Sequence, residues 1–372
     1  MLNETEAQNT RTRTEEGARS LTTSDLRVKS IRPLIAPAIL HEQFPLSPEG
    51  VELVRRTREE ITAVLNGRDD RLIAVVGPCS IHDPDAALDY AGRLRELREE
   101  LSDDLLFVMR VYFEKPRTTV GWKGLINDPY LDESYAVNDG LRIGRKLVLE
   151  LTEMGMPAGT EFLDPITPQF FSDVLVWAAI GARTTESQVH RQLASGLSMP
   201  VGFKNGTGGG VQIAVDAVGA STHPHSFLGV TDQGIAGIVS TEGNPDCHII
   251  LRGGKDGPNY DAESVAGTLA LLEKAGLPRR VLIDASHANS GKDYRNQPAV
   301  VSDVAGQVAG GQRAIVGVMM ESFLEDGAQS LGADKSDLVY GRSITDSCMG
   351  WDMTVPTLRE LAQAVRERRK NA

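Results

Sequence analysis

The chain has 372 residues, of which 41 % are hydrophobic, and 39 Lys and Arg against 51 Asp and Glu give a formal net charge of −12. This length allows one large domain with an extension or two ordinary domains, and the acidic balance argues against nucleic acid or an anionic membrane as a partner. The three cysteines show no CxxC spacing, and no apolar run suits a signal peptide or a membrane span, so we expect a cytoplasmic protein with reduced thiols.

The N-terminal part of the chain differs in composition from the rest. Residues 1–24 are polar and are expected to be disordered. Residues 25–70 are expected to form an arm and a helix that make regulatory or subunit contacts. Prolines favour an extended arm, whereas Ser47–Asn66 is predicted as a helix because Ser47 is a suitable cap and Pro48 suits the first turn.

Over residues 71–372, short apolar runs alternate with amphipathic helical stretches. This alternation is typical of a parallel sheet whose strands are joined by helices. Eight such runs predict an α/β fold, a (β/α)₈ TIM barrel, and an open doubly wound sheet is less suitable because no GxGxxG motif opens a first βα turn. The predicted strands are Leu72–Val76, Leu106–Tyr112, Gly159–Leu163, Trp177–Ala182, Val201–Lys204, His248–Leu251, Val281–Ile283 and Ile315–Met319.

One passage interrupts the alternation before the sixth predicted strand. Ser226–Val230 and Ile238–Thr241 are predicted to pair as a β-hairpin through the turn at Asp232–Gly234. A bare barrel needs neither this insertion, at about 226–242, nor the N-terminal extension.

Four potential metal ligands follow predicted strands. Reactive groups of a barrel lie at the carboxyl ends of its strands, and thiolate, imidazole and carboxylate groups there suit a divalent metal. Each residue alone also fits a plainer role, as a buried cysteine, a hydrogen-bonded histidine or a solvated acid. The four are Cys79, His287, Glu321 and Asp346.

Seven cations lie within or just after the ends of predicted strands. In an acidic protein this placement predicts anionic substrates, since arginine pairs bidentately with phosphate or carboxylate and lysine supplies a point charge or a proton. Ion pairs at the barrel rim are the alternative for any one of them. The set comprises Arg110, Lys115, Arg117, Lys123, Arg183, Lys204 and Arg252.

Seven motifs, in order along the chain, closely resemble those of the metal-dependent 3-deoxy-D-arabino-heptulosonate 7-phosphate (DAHP) synthases. The resemblance is to the microbial class that aromatic amino acids inhibit, and it runs from about Asp25 to the last predicted helix. The motifs are Gly77–Pro84, Lys115–Gly124, Gly181–Ser187, Gly202–Thr207, Leu251–Gly254, Ser286–Ser290 and Ser343–Asp346.

This resemblance implies that phosphoenolpyruvate condenses with erythrose 4-phosphate, giving DAHP and phosphate at the entry of the shikimate pathway. It implies that Cys79, His287, Glu321 and Asp346 hold the metal. The residues implied to bind phosphoenolpyruvate are Arg110, Lys115, Gly181, Ala182, Arg183, Lys204 and Arg252. Those implied to bind the phosphate of erythrose 4-phosphate are Arg117 and Thr118. The candidate catalytic residues are Lys115 as the acid, Glu161, His287 and Asp346.

The resemblance also implies a divalent cofactor and an inhibitor site. Manganese is the first choice of metal because two carboxylates suit it, and iron, cobalt or zinc would also fit. An aromatic amino acid is expected at Asp25, Phe162, Pro168, Gln169, Ser198, Phe227, Gly229 and Val239. Glycine at position 229 leaves room for a phenol hydroxyl, which favours tyrosine over phenylalanine or tryptophan, and the alternative is a glycine that only permits close packing of strands. A homodimer or homotetramer is expected.

Two other functions would share part of this pattern. A 3-deoxy-D-manno-octulosonate 8-phosphate synthase would share the barrel and the chemistry but act on arabinose 5-phosphate, and the Lys115–Thr118 motif argues against it. A catalytically silent barrel would bind an aromatic amino acid and a partner such as chorismate mutase. The intact set of ligands and cations argues against that function.

Overall fold

The computed structural model describes residues 23–117, 121–332 and 335–371. The chain divides into two compact units after Ile35. The described part of the first unit is exposed and irregular, with a turn in which the Val28 N–H donates to Asp25 O at 3.1 Å. Disorder was expected for residues 1–24. Residues 1–22 lie outside the described residues, so the expectation is not tested for them.

The second unit begins with two helices, α1 (Pro37–Gln43) and α2 (Pro48–Leu65). The prediction of an extended arm before the second helix was wrong at Pro37–Gln43, which is α1. Pro37 suits the first turn of a helix, because the N–H that proline lacks has no partner within the helix at that position. The prediction of α2 is confirmed, and Ser47 Oγ accepts a hydrogen bond from Gly50 N at 3.1 Å.

Eight parallel strands form a closed barrel, which confirms the predicted fold class. Around the barrel, the strand that begins at Leu72 is followed in order by those that begin at Ile315, Val281, His248, Val201, Trp177, Ala158 and Leu105. The residues of all eight strands are buried. Strands buried on both faces read as continuous apolar runs, which is why the sequence revealed them. The strands are β1 (Leu72–Gly77), β2 (Leu105–Arg110), β3 (Ala158–Glu161), β4 (Trp177–Ile180), β5 (Val201–Lys204), β8 (His248–Leu251), β9 (Val281–Asp284) and β10 (Ile315–Glu321).

Helices join most of these strands and cover the barrel. Asp83 and Asp261 cap α3 and α8 by accepting backbone N–H groups in the first turn. Within the described ranges, no helix is long and apolar enough to cross a membrane. The helices are α3 (Pro84–Glu100), α4 (Val137–Glu153), α5 (Pro168–Phe171), α6 (Gln188–Gly196), α7 (Gln212–Ser221), α8 (Ala262–Lys274), α9 (Gln297–Ala309) and α10 (Trp351–Lys370).

The inserted hairpin is confirmed as a separate two-stranded antiparallel sheet. It consists of β6 (Ser226–Val230) and β7 (Ala236–Ser240), and β7 begins two residues before the predicted strand. Leu228 and Ile238 pair in register and are 89 % and 79 % exposed. The hairpin therefore presents an apolar outer face to its surroundings.

Candidate active site

A cavity of about 390 Å³ opens at the carboxyl ends of the barrel strands. Loops that follow the parallel strands converge there, so side chains distant in sequence share one space. Most of the predicted site residues line it. They are Lys115, Arg117, Glu161, Gly181, Ala182, Arg183, Lys204, Arg252, His287, Glu321 and Asp346.

Three of the four predicted metal ligands form a cluster beside this cavity. One ligand atom each from Cys79, Glu321 and Asp346 lies within 4.8 Å of the others. The barrel produces this proximity, because Gly77 at the end of β1 pairs with Glu321 at the end of β10. His287 is adjacent, with Nε2 3.9 Å from Glu321 Oε1. Sulfur, carboxylate and imidazole donors at these positions form a candidate site for a divalent metal.

A lysine ammonium group lies against the cluster. Lys115 Nζ is 3.1 Å from Cys79 Sγ. Burial raises the pKa of Cys79 to about 12. Burial alone would lower the pKa of Lys115, but Cys79, Glu321 and Asp346 raise it above its ordinary value. Lys115 is therefore a protonated group beside the candidate metal cluster.

A buried row of charged groups runs from Glu161 through Lys204 and Asp284 to His287. Lys204 Nζ is 3.1 Å from Glu161 Oε2 and 3.6 Å from Asp284 Oδ2. Asp284 Oδ2 is in turn 2.9 Å from His287 Nδ1. Burial alone would raise the pKa of both carboxyl groups. Lys204 lowers that of Glu161, while His287 and Lys204 hold that of Asp284 well below its ordinary value.

Gly181 lies close to the Glu161 end of this row. A Cβ atom at Gly181 would lie 2.6 Å from Glu161 Oε1, so any larger residue would displace the carboxylate. The absence of a side chain also leaves the Gly181 backbone open towards the cavity, where a phosphate is expected.

Two predicted substrate residues, Arg110 and Thr118, and one further residue of the predicted cation set, Lys123, are not among those that line the cavity. Arg110 is buried behind Glu321, with Nη2 3.1 Å from Glu321 Oε1 and its guanidinium carbon 3.9 Å from the centre of the Tyr112 ring. Lys123 is exposed, and its carbonyl accepts the Lys115 N–H at 2.9 Å. Thr118 lies outside the described residues. The substrate roles of Arg110 and Thr118 stay predictions, whereas the resemblance implies no substrate role for Lys123.

The sequence prediction missed several residues of the site. Asp284 is the last residue of β9, one position beyond the predicted strand, and that polar strand end was a usable signal. The side chain of Gln297 accepts the Glu321 N–H at 2.9 Å through Oε1 and donates to the Glu321 carbonyl at 3.0 Å through Nε2, so it fixes the backbone of Glu321. Lys292 follows a predicted motif closely. Other lining residues outside the predicted set are Pro116, Thr184, Thr207, Ser286, Ser290, Tyr294 and Ser347.

The buried Glu114 connects the loop that carries Lys115 to the loop after β3. Its carboxyl oxygens accept the N–H groups of Leu163 at 3.4 Å and Asp164 at 3.1 Å. Burial, helped by the nearby Asp164, raises the pKa of Glu114 to about 8. Glu114 therefore holds the base of the catalytic loop best as a neutral acid.

We expect the Glu114→Gln variant to be less sensitive to alkaline pH than the native protein. Because the pKa of Glu114 is higher in the folded state than in the unfolded state, its protonated carboxyl group stabilises the fold. This stabilisation is complete below the unfolded pKa of about 4.5 and is lost as the pH rises through the folded pKa of about 8. Glutamine cannot ionise. Thermal unfolding should give similar midpoints at pH 5 and a midpoint several degrees higher for the variant at pH 9. Glu96→Gln, on an exposed position of α3, is the control, and parallel pH profiles for all three proteins would contradict the expectation.

The predicted inhibitor residues are not among those that line the cavity at the strand ends. Phe162 is buried directly after β3, and Pro168 and Gln169 begin α5. Phe227 on β6 pairs in register with Val239 on β7.

A Cβ atom at Gly229 would lie 2.6 Å from Val239 Cγ2. Ser198 is exposed and lines a second cavity of about 510 Å³. Asp25 belongs to the separate N-terminal unit. The joint role of these residues stays a prediction.

Comparison with known proteins shows the family to which the chain belongs. The sequence profile of the DAHP synthetase I family matches residues 44–359. The Phe-sensitive phospho-2-dehydro-3-deoxyheptonate aldolase of Escherichia coli K12 is 59 % identical over 345 residues, covering 93 % of this chain and 98 % of that protein.

The tyrosine-inhibited phospho-2-dehydro-3-deoxyheptonate aldolase of Schizosaccharomyces pombe is 54 % identical over 350 residues, covering 93 % and 94 % of the two chains. The solved phospho-2-dehydro-3-deoxyheptonate aldolase of Francisella tularensis SCHU S4 superposes with a TM-score of 0.90 at 51 % identity, covering 92 % of this chain and 99 % of that one. The chain therefore belongs to the DAHP synthetase I family and is an enzyme of the DAHP synthase type.

Proposed function

We propose that the cavity at the carboxyl ends of the strands condenses phosphoenolpyruvate with erythrose 4-phosphate to DAHP and inorganic phosphate. The observation that carries this proposal is the position of Lys115, whose ammonium group lies 3.1 Å from Cys79 Sγ in the candidate metal cluster. A metal-binding group, a proton donor and several arginines share one cavity. That combination suits an aldehyde and a phosphorylated partner that react together.

Two groups of cations would hold the two substrates. Arg183, Lys204 and Arg252 line the cavity together, and their charges suit the phosphate and carboxylate of phosphoenolpyruvate. Arg117 lies on the loop after β2 and would take the phosphate of erythrose 4-phosphate. Arg183 Nη1 donates to Pro116 O at 3.2 Å, so the two substrate-binding loops are joined at this point.

The chemistry follows from these positions. C3 of phosphoenolpyruvate attacks the aldehyde carbon, and Lys115 gives a proton to the oxygen that becomes a hydroxyl. Water adds at C2 and loses a proton, assisted by Glu161, because His287 is a proposed ligand of the metal. The resulting hemiketal phosphate releases inorganic phosphate by cleavage of its C–O bond, which leaves the ketone. A divalent ion supplies polarisation of the aldehyde carbonyl when bound.

The donor set fits such an ion. Cys79, His287, Glu321 and Asp346 would hold it, and the cluster brings anionic groups together at a buried point where a cation is favourable. Two carboxylates favour manganese as the first choice, with iron, cobalt or zinc as alternatives.

Feedback inhibition by an aromatic amino acid is part of this proposal. Phe-sensitive and tyrosine-inhibited relatives support it, and the pairing of Phe227 with Val239 next to Gly229 supports the hairpin as part of the site. The exposed apolar side chains of Leu228 and Ile238 support a homodimer or homotetramer, because such a face is favourable when another subunit covers it.

We expect Gly229→Ser to weaken inhibition by tyrosine about tenfold or more and to favour phenylalanine. A Cβ atom at this position meets Val239 Cγ2 at 2.6 Å, so the side chain must take space that the proposed phenol hydroxyl needs. Inhibition curves with both amino acids measure the change. Gly237→Ser, at the position paired with Gly229, is the control. Unchanged tyrosine inhibition in Gly229→Ser would contradict the assignment.

The first test of the proposed function is phosphate release from phosphoenolpyruvate by the purified protein. We expect release with erythrose 4-phosphate, none with arabinose 5-phosphate, loss of release with EDTA, and recovery with added Mn²⁺. Release with arabinose 5-phosphate would favour the octulosonate reaction. No release with any metal, in a protein that still binds tyrosine, would favour the silent regulatory barrel.

A further inference from the structure

The buried carboxylate of Asp284 lies between a predicted metal ligand and a predicted substrate-binding lysine. Its side chain has no exposed surface, and Oδ2 is 2.9 Å from His287 Nδ1 and 3.6 Å from Lys204 Nζ. We propose that Asp284 is a positioning residue that orients His287 for metal binding. This inference rests on the proposed function, because it assumes that His287 is a ligand of the metal.

The two ring nitrogens of His287 face different carboxylates. Nδ1 forms a hydrogen bond with Ser286 Oγ at 2.7 Å and lies 2.9 Å from Asp284 Oδ2, while Nε2 is directed towards the ligand cluster, 3.9 Å from Glu321 Oε1. A carboxylate beside Nδ1 holds the proton of the neutral ring on that atom. The lone pair of Nε2 is then free for a metal. Asp284 thereby selects the tautomer that the proposed site requires.

Ser286 fixes the orientation of the Asp284 carboxylate. Its hydroxyl and its backbone N–H both donate to Asp284 Oδ1, at 2.5 and 3.0 Å. The hydrogen bonds from Ser286 hold Asp284 Oδ1 in place. Asp284 Oδ2 therefore points towards His287 and Lys204. The carboxylate has little freedom to leave the imidazole.

The backbone at His287 also shows that its position is imposed by the surrounding turn. Its φ is 56°, in the left-handed region that residues other than glycine seldom adopt. The Lys292 N–H and the Ser290 hydroxyl both donate to His287 O, at 2.6 and 3.2 Å. Residues in such conformations persist where the structure over-determines them, often at functional sites. Backbone and carboxylate together hold the ring.

Glu161 provides a matched control for Asp284. Both are buried carboxylates beside Lys204, at 3.1 and 3.6 Å from its Nζ. Of the two, Asp284 is the one whose carboxylate lies within hydrogen-bonding distance of the His287 ring. Loss of either charge alters the surroundings of Lys204. A specific effect on the His287 ligand is expected from Asp284 alone.

The experiment measures Mn²⁺ binding by isothermal titration calorimetry to the full-length, metal-depleted protein and its variants. We expect Asp284→Asn to weaken Mn²⁺ binding by about 10 to 100-fold, the range found when the carboxylate partner of a ligating histidine is lost. Glu161→Gln should stay within a few-fold of the native protein. With Co²⁺ as a spectroscopic probe, Asp284→Asn should keep the thiolate charge-transfer band and shift the d–d bands.

The outcomes separate this inference from the proposed function. If the native protein binds neither Mn²⁺ nor Co²⁺, the proposed metal site is wrong. If the native protein binds both, and Asp284→Asn binds Mn²⁺ equally well with an unchanged Co²⁺ spectrum, the positioning role is wrong while the proposed site stands. If Asp284→Asn does not fold, Asp284→Ser takes its place, because it removes the carboxylate and keeps Ser286 beside His287 Nδ1. A several-fold loss of Mn²⁺ affinity in that variant supports the inference, and no loss overturns it.

Discussion

Replacement of Lys115 by methionine is expected to lower turnover by about 10² to 10⁴-fold, the usual contribution of a positioned general acid. Methionine keeps most of the apolar length of the side chain and removes the ammonium group. That group lies 3.1 Å from Cys79 Sγ, and its neighbours raise its pKa above the ordinary value, so it is protonated at neutral pH. The affinity for phosphoenolpyruvate should change much less, because Arg183, Lys204 and Arg252 remain.

Steady-state kinetics with both substrates, together with phosphoenolpyruvate binding measured without turnover, separates the two effects. Lys123→Met is the matched control. Lys123 lies on the same loop, but its side chain is exposed and its contact with Lys115 is made by its carbonyl. We expect this variant to stay within a few-fold of the native turnover. An equally small loss in Lys115→Met would remove Lys115 from the role of acid.

Cys79→Ser is expected to lower the affinity for a divalent metal by at least about 100-fold, more than the loss of a residue that only supports a ligand. A thiolate is a metal ligand, whereas a serine hydroxyl stays protonated and binds weakly. Cys79 Sγ is also 3.6 Å from Asp346 Oδ2 and accepts the Asp346 N–H at 3.4 Å. The substitution therefore removes one ligand and loosens the loop that carries another. Activity should fall with the metal.

Metal content after dialysis, Mn²⁺ titration and phosphate release at saturating Mn²⁺ are the measurements. Cys247→Ser is the control, because Cys247 is an equally buried thiol whose carbonyl accepts a hydrogen bond from Arg280 at 3.0 Å, outside the metal cluster. Its unfolding midpoint should fall by a few degrees while its metal affinity is kept. Native metal affinity in Cys79→Ser would show that the ion is held elsewhere.

The barrel and most of its site were predictable from the sequence for a local physical reason. A parallel strand covered by helices outside and side chains inside is a short continuous apolar run, and its first polar residues mark its carboxyl end. That is why Lys204, Glu321 and the loop residue Cys79 were found. In a barrel of parallel strands the carboxyl ends all lie at one side, so residues at these ends lie near one another there.

Helix boundaries in the N-terminal segment were less predictable. The same prolines that favour an extended arm also suit the first turn of a helix, and Pro37 starts α1. Local propensity did not distinguish the two conformations. Tertiary contact decided between them, since the buried Leu40 anchors the short helix.

The sequence by itself determined the order of the strands, the inserted hairpin and the types of group at the site. Only the tertiary structure decided which of those groups are partners. Asp284 meets Lys204 because β9 and β5 both pair with β8, and Arg110 lies against Glu321 because β2 and β10 both pair with β1. Such contacts depend on the register of neighbouring strands and on burial, because a buried charge needs a specific partner of opposite charge. Residue type and local spacing contain neither quantity.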